Sequence, residues 1–261
     1  MNPNRTPVIA GNWKMNPATR SEALALADGV AGRMAALDLE TVVCPPTVWL
    51  EAVSASIAGR IGVGAQTMAS QERGAFTGET SPLMLAGVAG WVIIGHSERR
   101  QYDGETDERV GLKTASAVAH GLRPIAAIGE RIEQREAGET EAVIDRQLRA
   151  ALARLERIAG SGLAIAYEPV WAIGTGNAAS GGDAQAVAGQ IRAILAEVGG
   201  ETAAAEVPIL YGGSVTAANA AEFFTQPDVD GALVGGASLD AEGFAAIGTA
   251  ATFAVELARG R

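Results

Sequence analysis

Eight short apolar segments recur along the chain, and they restrict its fold more than any other feature. Each has the length of a strand, most are rich in Val and Ile, and none alternates polar with apolar residues. Uninterrupted apolar runs of this kind are typical of strands that are buried on both faces, as in a parallel sheet. The segments are Val8–Ala10, Thr41–Cys44, Ile61–Ala65, Trp91–Ile94, Ile125–Ile128, Leu163–Tyr167, Ile209–Tyr211 and Ala232–Val234.

The stretches between these segments have helical periodicity. Thr19 and Glu22 have the spacing of a capping box, and a later helix is expected to begin at Asp183. A strand–loop–helix unit repeated eight times over 261 residues is typical of a (β/α)8 barrel, an α/β fold of eight parallel strands with surrounding helices. An open, doubly wound sheet uses the same units. Because the chain has no linker or break in composition, we predict a single barrel domain over residues 1–261.

The composition excludes several classes of protein. The formal net charge is −10, whereas nucleic acids and anionic membranes are bound by basic surfaces. No segment approaches the roughly 18 consecutive apolar residues of a membrane span, and no apolar signal region follows the polar N-terminus. The lone Cys44 cannot form an internal disulfide, so a cytoplasmic location is expected. No cluster of residues has metal-ligand spacing, and neither a metal nor a cofactor is predicted.

Polar or glycine-rich residues directly follow most of the apolar segments. In a barrel the carboxyl ends of all strands meet at one rim, where the active sites of this fold lie. The sequence therefore predicts a functional site that is assembled from several separate loops. The residues concerned are Asn12, Lys14, Gln66, Gly95–Glu98, Glu168–Pro169, Gly212–Ser214 and Gly235–Gly236.

Two of these residues suit proton transfer. Glu168 follows an apolar strand and precedes a proline, which holds its backbone extended. A glutamate that is withdrawn from water at such a place suits proton abstraction near neutral pH. His96 precedes a short helix, whose backbone N–H groups would keep the imidazole neutral and able to donate a hydrogen bond to a carbonyl. Taken alone, each also fits a plain role, as a solvated loop carboxylate or a strand-end histidine.

Other residues suit an anionic ligand. Lys14 is one of only two lysines in the chain, and it could neutralise both a phosphate and a developing oxyanion. The small residues of Gly212–Ser214 and Gly235–Gly236 would let backbone N–H groups approach a phosphate, in loops where this fold commonly binds one. Ala172–Gly176 could form a lid. A weak dinucleotide fingerprint within this lid is rejected, because no acidic residue follows it at the required distance.

Together these segments resemble the triosephosphate isomerase family, from about residue 8 to residue 240. The resemblance implies the TIM barrel fold and an isomerase of glycolysis and gluconeogenesis that interconverts dihydroxyacetone phosphate and D-glyceraldehyde 3-phosphate without a cofactor. The main enzymatic rival is another phosphate-binding barrel, such as an aldolase or a decarboxylase-type enzyme. An imine-forming aldolase would need a lysine on a late strand, and none lies beyond Lys113. The segments that carry the resemblance are Gly11–Asn16, Gly95–Arg100, Ala166–Gly176 and Leu210–Val215.

The resemblance also implies roles for individual residues. Glu168 would abstract a proton from carbon 1 of the substrate, and His96, Lys14 and Asn12 would stabilise the resulting enediolate. Glu98 would hold these groups in position without contacting the substrate itself. The residues implied to hold the phosphate are Gly174, Ser214, Gly235 and Gly236.

The resemblance further implies a homodimer, in which the loop Gly74–Glu79 of one subunit inserts beside the partner's Lys14. A different class of function is a catalytically inactive barrel that binds a phosphate ligand or acts as a scaffold. That alternative would be accompanied by loss of Lys14, His96 or Glu168, all of which are present.

The chain departs from the family pattern at four places. Thr67 replaces the usual asparagine, and Ala127 replaces the usual cysteine. The hinge Asn177–Ala179 replaces Lys-Thr-Ala, and Gly181–Gly182 replaces Pro-Glu. These changes affect packing and the hinge of the lid, and they remove no catalytic group.

Overall fold

The strands form a closed barrel. A computed structural model describes residues 1–173 and 179–260. All eight strands run parallel to their neighbours in chain order, and the last strand pairs with the first. The prediction of a (β/α)8 barrel is confirmed, and every observed strand overlaps its predicted segment. The strands are β1 (Val8–Asn12), β2 (Glu40–Cys44), β3 (Gly62–Ala65), β4 (Trp91–Ile94), β5 (Arg123–Ile128), β6 (Ala164–Tyr167), β7 (Ile209–Tyr211) and β8 (Gly231–Val234).

Helices connect the strands and cover the outside of the barrel. Short 3-10 helices lie at Val170–Ala172 and Gly236–Leu239. The α-helices are α1 (Arg20–Met34), α2 (Thr47–Ile57), α3 (Pro82–Leu85), α4 (Ser97–Tyr102), α5 (Asp107–Ala119), α6 (Ile132–Glu136), α7 (Thr140–Leu152), α8 (Gly181–Glu206), α9 (Ala220–Phe224) and α10 (Ala241–Ala258).

The ends of two helices test the sequence predictions. At α1 the side chain of Thr19 accepts a hydrogen bond from the Glu22 backbone N–H at 3.3 Å, and the Glu22 carboxylate accepts one from the Thr19 backbone at 3.0 Å. The predicted capping box is therefore confirmed. The predicted start of α8 at Asp183 is wrong, because Ser180 caps the helix and the first helical residue is Gly181. Asp183 is instead the residue whose backbone and carboxylate complete that cap.

The core has two parts, which follow from the alternation of side chains along each strand. One set of alternate residues, including Val8 and Ala10 of β1, packs inside the barrel. The residues between them, such as Ile9, face the helices in a larger cluster. The barrel is therefore filled with side chains, and any ligand must bind at one of its ends.

The amino-terminal end of the barrel is closed by a buried ion network. The Asp230 carboxylate is fully buried and accepts hydrogen bonds at 2.6 Å from both Arg5 and Arg192. It also accepts one at 3.0 Å from the Ile209 backbone N–H. Both oxygens of the buried charge are thus satisfied, as burial of a carboxylate requires. In the part of the chain that the structure describes, no helix is both long and apolar enough to cross a membrane.

Candidate active site

The inward faces of four strands lead directly to the residues of the site. On β6, Ala164 and Ala166 fill the barrel interior, so the next inward position is Glu168. By the same alternation the inward face of β1 continues to Asn12. Gly212 and Gly235 stand at the corresponding positions after β7 and β8. The apolar filling of the barrel therefore ends in a polar and glycine-lined floor.

A cavity of about 270 Å³ opens on this floor at the carboxyl ends of the strands. It brings together the predicted residues Asn12, Lys14, His96, Glu168, Ser214, Gly235 and Gly236. Ile173, Leu233 and Val215 add apolar wall. Glu98 does not line the cavity and instead contacts Lys14. The predicted phosphate ligand Gly174 lies outside the described residues, as do positions 177 and 178 of the hinge.

Glu168 is buried and both of its carboxylate oxygens are occupied. Only 2% of the residue is exposed. Oε1 lies 3.0 Å from His96 Nε2, and Oε2 accepts a hydrogen bond of 2.8 Å from the Ser97 backbone N–H. A buried carboxylate needs such hydrogen-bond partners, because burial without them is costly. Releasing one of these two bonds would free an oxygen to take a proton.

His96 caps α4, and its hydrogen bonds define its tautomer. The imidazole Nδ1 accepts a hydrogen bond of 3.2 Å from the Glu98 backbone N–H, so this nitrogen carries no proton. The ring is therefore neutral, with its proton on Nε2, the nitrogen that faces Glu168 and the cavity. The sequence prediction of a short helix after His96 is confirmed.

Lys14 has an unusual backbone that other residues hold in place. Its φ angle is 52°, in the left-handed region that residues with a side chain seldom adopt. Its N–H donates to Asn12 Oδ1 at 3.0 Å, and its carbonyl accepts from Gln66 Nε2 at 2.8 Å. The Nζ ammonium lies 2.6 Å from Glu98 Oε1. The surroundings thus hold Lys14 at the cavity, and the Glu98 carboxylate balances the charge of its ammonium group.

The glycine-rich loops after β7 and β8 also line the cavity. Gly212 packs against Glu168, because a Cβ at this position would lie 2.8 Å from Glu168 Cγ. At Gly236 an added Cβ would meet no atom within 4 Å, so here the absence of a side chain leaves the backbone open to a ligand. Ser214 Oγ donates to the Ala172 carbonyl at 2.9 Å, which joins this wall to the segment after Glu168.

Glu130 is a buried residue of the site region for which the sequence suggested no role. It is fully buried, and its Oε1 accepts hydrogen bonds from Tyr167 at 3.1 Å and from Trp171 at 2.8 Å. Burial, followed by the charge of Glu130, raises the pKa of the Tyr167 phenol, which stays protonated and able to donate. The only signal in the sequence was an acidic residue just after β5.

The structure gives physical reasons for two of the departures from the family pattern. Thr67 lies 3.3 Å from Lys113 Nζ, and Lys113 in turn forms a buried ion pair with Glu105. Gly181 donates its N–H to Glu222 Oε1 at 2.6 Å, a bond that a proline could not make. Nothing in the structure explains Ala127, which is one of the small residues inside the barrel.

Among residues 1–173 and 179–260, no group of three or more His, Cys, Asp and Glu side chains is arranged to hold a metal ion.

The fold and the cavity place the chain in the class of (β/α)8 barrels with a polar pocket at the carboxyl ends of the strands. Residues 7–251 match the family model described as triosephosphate isomerase. The chain therefore belongs to the triosephosphate isomerase family, a family of aldose–ketose isomerases. The predicted resemblance is confirmed.

Several curated relatives agree with this assignment. The triosephosphate isomerase of Symbiobacterium thermophilum is 51% identical over 95% of this chain and 97% of its own length. That of Chloroflexus aurantiacus is 50% identical, over 92% of this chain and 97% of the relative. That of Alcanivorax borkumensis is 49% identical, over 95% of this chain and 99% of the relative.

Proposed function

We propose that the cavity at the rim carries out the reaction of the family with Glu168 as the catalytic base. The chain interconverts dihydroxyacetone phosphate and D-glyceraldehyde 3-phosphate. Glu168 takes a proton from carbon 1, an enediolate forms, and return of a proton to carbon 2 gives the aldose. The observation that carries this proposal is the buried Glu168 carboxylate, 3.0 Å from a neutral imidazole at the bottom of the cavity.

The hydrogen bonds of Glu168 set a condition on the first step. Both carboxylate oxygens are held, one by His96 and one by the Ser97 N–H. Glu168 must therefore release a partner before it can reach the substrate carbon. Burial ensures that the freed oxygen meets the substrate rather than bulk water.

His96 and Lys14 are suited to the charge that develops on the substrate oxygens. A neutral imidazole donates from Nε2 to an oxygen that becomes an enediolate, and it does so without first stabilising the ground-state carbonyl as an imidazolium would. The Lys14 ammonium adds a positive charge within a chain of net charge −10. Asn12 lines the same cavity and supports Lys14 through its backbone N–H.

The phosphate is assigned to the glycine-rich wall. Ser214, Gly235 and Gly236 line the cavity, with Gly174 as the further ligand implied by the family motif. Backbone N–H groups can bind a phosphate without adding formal charge, which suits a site whose cation already faces the reacting atoms.

The chain is proposed to act as a homodimer in the cytoplasm. Large apolar side chains are exposed on the loops and short helices that follow four consecutive strands, β1 to β4. They are Met15, Val48, Phe76, Leu83, Met84 and Tyr102. Apolar side chains gathered in one sector of a rim are typical of a surface that a second protein covers. The loop Gly74–Glu79 lies within this sector, which supports its assignment as the element that inserts beside the partner's Lys14. A single reduced cysteine is consistent with the cytoplasm.

Conversion of glyceraldehyde 3-phosphate in a coupled assay tests the function. Glu168→Gln removes the base and keeps the shape, so kcat should fall by about 10²- to 10⁴-fold. Inhibition by inorganic phosphate should be preserved, because the phosphate wall is untouched.

The control is Glu256→Gln on the exposed face of α10, which should behave as the unaltered protein. Absence of turnover in the folded, unaltered protein would overturn the assignment. Parallel loss of turnover and phosphate binding in Glu168→Gln would mean that the residue is structural.

A further inference from the structure

The side chain of Gln147 is hydrogen-bonded to both backbone groups of Gly129. Gln147 Oε1 accepts from the Gly129 N–H at 2.8 Å, and its Nε2 donates to the Gly129 carbonyl at 3.2 Å. Gln147 lies on α7, and only 6% of it is exposed. Both bonds are shielded from water. In such a buried place a donor or acceptor without a partner is costly.

These two bonds take the place of a neighbouring strand at the end of β5, where β4 no longer pairs with it. The pairing of β4 with β5 ends at Ile94 and Ala126, because the chain leaves the barrel at Gly95, whose φ angle is 76°. The edge of β5 beyond that point would have unpaired backbone groups. The Arg100 guanidinium bonds to the Ala127 carbonyl at 3.2 Å, and the amide of Gln147 pairs with Gly129 as a neighbouring peptide would.

Gly129 is the support on which the catalytic base rests. A Cβ on Gly129 would overlap the carbonyl oxygen of Glu168, so the two backbones are in direct contact. The carbonyls on either side of Gly129 hold the same segment. Ile128 accepts from the Glu168 N–H at 2.8 Å, and Glu130 accepts from the Val170 N–H at 3.1 Å. A displacement of Gly129 would therefore shift Glu168 at both of its ends.

We propose that Gln147 is a positioning residue for Glu168. It touches neither the cavity nor the substrate, and it acts through Gly129 to fix where the carboxylate stands. This inference rests on the proposed role of Glu168 as base. Displacement of a reacting group by about 1 Å can lower a rate on the order of 10²-fold, so loss of this support should be visible in kcat.

The decisive variant is Gln147→Met, which keeps the volume and removes both hydrogen bonds. We expect kcat to fall by about 10- to 100-fold. KM and inhibition by inorganic phosphate should change by no more than about threefold, because a mispositioned base leaves ground-state binding intact. The matched control is Leu148→Ala, the adjacent buried residue of α7. It should lower the melting temperature at least as much and leave kcat unchanged.

A second variant supplies a pH signature. Gln147→Glu keeps an acceptor for the Gly129 N–H, but it can donate to the Gly129 carbonyl only while its carboxyl group is protonated. Its kcat relative to the unaltered protein should therefore decline as the pH rises. This variant decides the question alone if Gln147→Met does not fold.

The proposal is overturned if folded Gln147→Met retains full kcat, if Leu148→Ala loses kcat to the same degree, or if the Gln147→Glu ratio does not depend on pH. Failure of the proposed function is a separate result, since it would appear as an inactive unaltered protein or as an active Glu168→Gln variant.

Discussion

At the scale of single residues, the barrel interior changes the chemistry of the groups it encloses. Cys44 lies among small side chains inside the barrel, and its sulfur would be 2.7 Å from a Cβ added to Gly64. Burial raises the pKa of the Cys44 thiol to about 12. At the rim, the buried Glu168 carboxylate has hydrogen-bond partners in His96 and the Ser97 backbone N–H.

Cys44 should be inert in the folded protein. With a pKa of about 12, only about one thiol in 10⁴ is ionised at pH 8, and the thiolate is the reactive species. A thiol reagent such as dithionitrobenzoate should therefore label the native chain negligibly over hours. In concentrated guanidinium the single cysteine should react fully. Rapid labelling under native conditions would contradict the buried position.

At the scale of elements, the site depends on contacts between neighbouring loops and helices. Arg135 of α6 lies over the ring of Trp171 at 4.4 Å, and it pairs with Asp183 of α8 at 2.6 Å. These residues flank the predicted lid on its two sides. The hydrogen bond from Ser180 lowers the pKa of Asp183, burial opposes the effect, and Arg135 adds to it.

Asp183 should make a pH-dependent contribution to stability. Its pKa is lower in the folded protein than in the unfolded chain, where it is about 3.9. The stabilisation is therefore fully present above about pH 4, and it is lost as the pH falls through the folded value. Asp183→Asn should lower the free energy of unfolding in urea by at most about 1 kcal/mol at pH 7, since the ion pair is partly exposed.

The difference between Asp183→Asn and the unaltered protein should shrink when the same unfolding experiment is repeated at progressively lower pH. Asp38→Asn is a suitable control, because its carboxylate is 84% exposed and 3.3 Å from Arg259. A stability difference for Asp183→Asn that stays constant with pH would contradict a stabilising role for the ionised Asp183 carboxylate at the start of α8.

At the scale of the whole molecule, an acidic chain exposes a group of apolar side chains on the loops and helices after β1 to β4. The net charge of −10 favours solubility of the separate chains. The exposed apolar side chains after β1 to β4 lower the solubility of a separate chain. They lie next to the loop that carries Lys14. Because Lys14 has a strained backbone, a subunit covering this sector would also help to hold the site.

Phe76→Glu should separate the subunits. Phe76 is 46% exposed in one chain, and a carboxylate buried at the interface would be costly. Sedimentation should show a change from dimer to monomer, and kcat should fall by at least about tenfold because the Lys14 loop loses support.

Phe253→Glu on α10 provides the matched control, since this phenylalanine is 58% exposed outside the sector. This variant should change neither the mass of the oligomer in sedimentation nor kcat. A monomeric unaltered protein, or a dimeric and fully active Phe76→Glu variant, would contradict the proposed interface.

Local patterns identified most of the architecture. Apolar runs without alternation predicted all eight strands. A strand that is buried on both faces has apolar residues at successive positions, so its sequence shows an uninterrupted apolar run. Polar or glycine-rich residues after most of these runs predicted the rim. The start of α8 was misplaced, because the role of Ser180 depends on its backbone conformation as well as on its side chain.

By itself the sequence determined the barrel, the rim and the residue types gathered there, since periodicity and chain order are properties of the chain alone. Only the tertiary structure decided what holds those residues in place. Gln66 supports Lys14 across 52 positions, and Gln147 supports Gly129 across 18. Contacts of this kind arise when folding brings distant segments together, and a glutamine that will fill a missing strand position has no distinguishing pattern around it. The same applies to Glu168, because His96 and Ser97 meet its carboxylate oxygens only in the closed barrel.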